Sequence, residues 1–143
     1  MFDKIFGLPV HVLVLHSVVV LLPLMALLTI VTAVRPGLRE RFTWWVTGAN
    51  ALVFGLTLVA KESGQALQTA LGGQVAKEHG ELGSVLPYFA LFLVVTSVGV
   101  GATRRNRSLG PIAVGFTIIA AIASVAWTVR TGDAGARAVW EGR

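Results

Sequence analysis

From Pro9 to Val34 the chain carries no Asp, Glu, Lys or Arg. A helix needs about 20 such residues to cross the hydrocarbon core of a bilayer, so this run alone excludes most soluble folds. Runs of the same kind recur at about 43–60, 83–103 and 109–129, each within the usual span length. Charged residues make up 13% of the 143-residue chain, against roughly 25% in soluble domains. That is too little charge to cover a water-facing surface. The reading is all-α, a single integral membrane four-helix bundle, multi-pass in the cell membrane.

The punctuation fits four helices. Pro9 and Pro111 suit first turns, where the missing N–H is not needed. Pro23 and Pro87 predict bends inside the first and third helices. Arg35-Pro36-Gly37 ends the first helix, and Ser108 is a candidate cap for the fourth. Helical character continues past the second span to Leu71, breaks at Gly72-Gly73 and resumes before the third span. Residues 61–82 therefore read as a helical hairpin projecting beyond the bilayer. Residues 130–143 read as a polar tail able to fold back as a lid. The four Trp read as interfacial anchors. Asn50 reads as a packing hydrogen bond, and Ala51/Gly55, Ser97/Gly101 and Ala120/Ser124 as close-packing pairs.

Net charge is +5, with no cysteine. Nucleic acid is excluded as a partner, because the basic residues sit in short connections between apolar runs. The absence of cysteine rules out disulfides, thiolate metal sites and iron–sulfur clusters. Arg35, Arg39, Arg41, Arg104, Arg105 and Arg107 cluster in two short loops flush with the spans. The positive-inside rule puts those loops in the cytoplasm and both termini outside the cell.

The candidate chemistry gathers at the opposite end. His11, His79 and Asp133 each lie about 25 residues from the arginine anchor of their own helix, hence at one height at about 1.5 Å per residue. His16 and Glu62 lie about a turn deeper. Imidazole and carboxylate are ligands for zinc, copper or iron. His11, His79 and Asp133 form the candidate metal set, with His16, Glu62, Glu78 and Glu81 as further ligands or supporting groups. His11 and His16 stand about 140° apart around the helix, so both cannot reach one small ion. A haem b between His79 and His16 or His11 is a second reading. An accessory subunit without cofactor, its histidines facing a larger membrane complex or another copy of the chain, is a third. The three glutamates also suit a solvated face, and Asp133 a turn in the tail. No nucleophile–base pair, phosphate loop or midplane acid occurs, which points away from an enzyme or a proton-coupled transporter.

Three stretches carry a family likeness. They are Gly7-Leu8-Pro9-x-His11-x-Leu13-x-x-His16-x-Val18-Val19-x-Leu21-x-Pro23, Glu78-His79-x-Glu81-Leu82-Gly83, and Gly132-x-x-Gly135-Ala136-Arg137-Ala138-Val139-Trp140. Together they resemble the actinobacterial branch of the bacterial membrane family called domain of unknown function 2231. The resemblance covers nearly the whole chain. It implies a four-helix membrane domain without an assigned activity. Some members are joined to cytochrome-like or Rieske-like domains, which implies a link to electron transfer in a respiratory or redox assembly. The family pattern has histidine at positions 11, 16 and 79, as here. It usually has another after Gly132, where this chain has Asp133, and it commonly reads His-Pro where Val12 follows His11. The aspartate keeps a metal ligand at that place but removes a haem ligand.

Overall fold

The computed structural model describes residues 10–70 and 77–140, with side chains described from residue 13 onward except at 139. Among the described residues four helices follow in order: α1 Val10–Val34, α2 Pro36–Ala70, α3 Lys77–Thr103 and α4 Leu109–Trp140. All four are long and apolar enough to cross a membrane. Each packs on two neighbours, α1 on α2 and α4, and α3 on α2 and α4, so that α1 lies diagonally across from α3. The expected break at Gly72-Gly73 lies outside the described residues.

The connections at the arginine end are tight. Arg35 alone separates α1 from α2: its N–H donates to Val31 O, and its own carbonyl accepts from Arg39 N at 2.8 Å. Pro36 then fills the first position of α2, where its fixed φ favours the helix. Residues 36–42 are thus helix rather than loop. The α3–α4 turn is capped by Asn106 and not by Ser108. The Asn106 carboxamide oxygen accepts from both Ser108 N and Leu109 N at 2.9 Å, satisfying donors at the start of α4 that have no intrahelical partner.

The outward faces are apolar. Leu27, Leu52, Val95, Phe116, Ile119 and Ile122 are all exposed. So broad an apolar surface is incompatible with water and natural for lipid. The interior mixes Leu22, Leu93, Ala26, Ala90, Ala120 and Ala121 with buried hydroxyls. Thr29, Thr117, Ser124, Thr128 and Thr131 each donate to a carbonyl one turn back, so no hydroxyl among these five is stranded in hydrocarbon. Asn50 Nδ2 donates to Thr29 Oγ1 at 3.0 Å, tying α2 to α1 as its position in the second span suggested.

The small-residue pairs divide. Ala120 and Ser124 are fully buried. A Cβ on Gly101 would stand 3.0 Å from Trp44 Cζ2, so α3 meets α2 closely there. Ala51 is exposed, and a Cβ on Gly55 would meet nothing within 4 Å; that pair takes no part in packing within the bundle.

At about 1.5 Å per residue the 35 residues of α2 reach about 50 Å, and the 32 residues of α4 nearly as far. Both outrun the roughly 30 Å hydrocarbon core. The residues expected to form a separate tail continue α4 as far as Trp140. Buried Thr131 and Ala134 keep that extension packed on the bundle, so it supports α3 instead of folding back as a lid.

Candidate functional site

The described polar groups at the hairpin end are organised by His79, in the first turns of α3. Its Nδ1 lies 2.9 Å from the backbone carbonyl oxygen of Thr131 in α4. A carbonyl only accepts, so Nδ1 carries the hydrogen and donates. In the neutral tautomer this leaves the lone pair on Nε2. One turn further along α4, Gly135 makes room for the ring: a Cβ there would come within 2.8 Å of Nδ1 and 3.1 Å of Cε1. Thr131 and Gly135 together fix where the imidazole sits and which nitrogen is free.

A buttress lies just below. Trp127 Nε1 donates to Leu82 O at 3.0 Å. Its ring stacks on Phe89 with centroids 5.1 Å apart, and the Arg130 guanidinium lies over it. Trp127 is therefore half-buried between α3 and α4, not an interfacial anchor. Trp44, Trp45 and Trp140 are the exposed ones.

His79 also lines a cavity of about 160 Å³ between α1, α2 and α3. An engineered cavity of about 150 Å³ holds a benzene ring, so the space admits one ring or a comparable group. Its apolar side is Leu15, Val18, Ala60 and Leu86; its polar side is Lys61, Gln65, Gln68 and His79. Lys61, Gln65 and Gln68 follow one another at i, i+4 and i+7, one face of α2. That stripe, continuing from Thr57, is the face's sequence signal, and it is masked because Lys61 reads as the end of a span. The cavity itself arises where three helices diverge and has no local signature.

The sequence-level candidates fall as follows. His79 is at the centre of the site. Asp133 lies in α4 between Thr131 and Gly135, but its side chain is 57% exposed and pairs with Arg137 at 2.9 Å. His16 is exposed. Glu62 and Glu78 are exposed too, and Glu81 pairs with Lys77 at 3.9 Å on the surface. His11 belongs to α1, but its side chain lies outside the described ones. Among the described residues, no three His, Asp or Glu side chains gather closely enough to hold a metal ion.

A family model described as "predicted membrane protein (DUF2231)" matches residues 7–143. The chain belongs to the DUF2231 family. No curated protein and no solved structure matches it. The family description agrees with the four apolar helices and places this DUF2231 member in a membrane. It assigns neither activity nor ligand, so the function of the cavity has to be argued from its own chemistry.

Proposed function

We propose that this protein is a bilayer-embedded binding protein and not an enzyme, taking a small amphipathic molecule into the hairpin-end cavity and serving a larger respiratory or redox assembly. One observation carries the binding reading: a ring-sized space with an apolar floor and a polar rim, bordered by an imidazole whose orientation two α4 residues fix. Such a composition, mostly apolar with a few convergent polar groups, is the usual make-up of a small-molecule site. The test is Ala60→Phe, which fills the cavity from α2. Native mass spectrometry of the purified protein with twelve-carbon amphiphiles should show bound adducts for the wild type and at least about tenfold fewer for the variant. Equal adducts in both sink the reading.

The His79 tautomer favours a second reading. A histidine that ligates a metal commonly donates its other N–H to a carbonyl, as Nδ1 does here, which would present Nε2 to zinc, copper or iron. His11 and Asp133 are the other members of that set, Asp133 on release from Arg137. Elemental analysis of wild type against His79→Ala tests it, and metal-free wild type ends it. A Soret band in the purified protein would instead favour the haem reading.

The arginine-rich end is proposed to face the cytoplasm, with the cavity outside. The chain has no cysteine, so single cysteines report cleanly at exposed Thr69 and Ser108. A membrane-impermeant thiol reagent should modify Thr69→Cys in intact cells and Ser108→Cys only after permeabilisation. The reverse pattern inverts the topology.

A further inference from the structure

The cavity's charge is one-sided. Among the described residues on its wall, Lys61 is the one charged side chain beside His79. It is half-buried, and among the described residues no carboxylate pairs with it. Glu62, next in sequence, is exposed and off the wall; Glu81 is taken by Lys77 and Asp133 by Arg137. A partly desolvated ammonium without a counter-ion is unfavourable, and an anion entering the cavity relieves it. One turn and two turns further along the same face, the Gln65 and Gln68 carboxamides add N–H donors.

Resting on the cavity's role as a binding site, we propose that its ligand is a long-chain carboxylate, a free fatty acid drawn from the bilayer. The head sits against Lys61 and the two glutamines, and the first carbons of its chain lie on Leu15, Val18 and Leu86. The volume fits a carboxylate and a few carbons, with the rest of the chain left in lipid. A carboxylate has about four lone-pair sites for this donor set, whereas an alcohol or ester head would leave Lys61 without a counter-ion.

The experiment compares dodecanoic acid, dodecanol and dodecylamine, each at the same concentration, by native mass spectrometry on the full chain. Wild type should bind the acid at least about tenfold more tightly than the alcohol, in line with hydrogen bonds to a charged partner, and should reject the amine. Lys61→Gln should bring acid and alcohol level, and Lys61→Arg should keep the preference. If wild type binds the alcohol as well as the acid, or Lys61→Gln keeps the acid preference, the carboxylate assignment fails while the cavity stands as a binding site. If none of the three binds, the binding reading fails with it.

Discussion

Gly135→Val is expected to destabilise the bundle by about 1–3 kcal/mol, the usual range for side-chain atoms forced into filled space, and to abolish amphiphile binding. The first added carbon would lie 2.8 Å from His79 Nδ1 and 3.1 Å from Cε1. The imidazole is a rigid ring with two rotatable bonds, and its hydrogen bond to Thr131 O holds it in place. Moving it aside breaks that bond, worth about 0.5–1.5 kcal/mol net, and swings the ring toward the cavity. Gly80→Ala is the matched control. Its Cβ would lie 2.9 Å from Gln68 Oε1, equally close, but that atom ends a long flexible side chain that can turn away. The gain in helix propensity from Gly to Ala, about 1 kcal/mol, should leave Gly80→Ala neutral or slightly stabilising. Thermal unfolding in detergent and the Nδ1 nitrogen resonance of His79 report the two effects separately. An unchanged resonance and melting temperature in Gly135→Val would mean that α4 does not fix the ring.

The architecture was legible in the sequence because a bilayer imposes it. Four charge-free runs of the right length allow little but four helices, and Asn50 in the second span had to find an internal partner, which proved to be Thr29. What was not legible depends on close approach between helices. Ser108 has the chemistry of a cap, yet Asn106 reaches both free N–H groups because the turn brings its carboxamide under them. Residues 130–140 are polar enough to suggest a tail, but a buried stripe through Thr131 and Ala134 makes them helix. Trp127 matches an interfacial anchor by position, and only the nearness of Phe89 and Leu82 O shows it to be a strut. At the site, equal height along the helices singled out His79 and Asp133. Height says nothing of direction around a helix, and Asp133 faces outward to Arg137. Lys61 was visible only as an interruption, since its meaning depends on what α1 and α3 place across from it.

The core should respond to truncation differently from a soluble core. Leu22→Ala removes a side chain only 1% exposed. In a water-soluble protein such a change costs about 2–5 kcal/mol, part from lost transfer out of water and part from the cavity left behind. Here the separated helices remain in lipid, whose tails are as apolar as leucine, so the transfer part largely cancels between the two states. The packing part survives, because a void leaves its walls without contacts on one side. Leu22→Ala is therefore expected to cost about 2 kcal/mol, at the bottom of the soluble range, with Leu93→Ala, also 1% exposed, close to it. Leu27→Ala, in the same helix but 59% exposed, should stay within about 0.5 kcal/mol, the usual scale for surface changes, because lipid refills the space in both states. Reversible unfolding in mixed micelles, with helix separation as the readout, measures all three. Equal costs for Leu22→Ala and Leu27→Ala would show that α1 does not turn the Leu22 face inward. A cost near 5 kcal/mol at Leu22 would show that water, not lipid, solvates that face when the helices part.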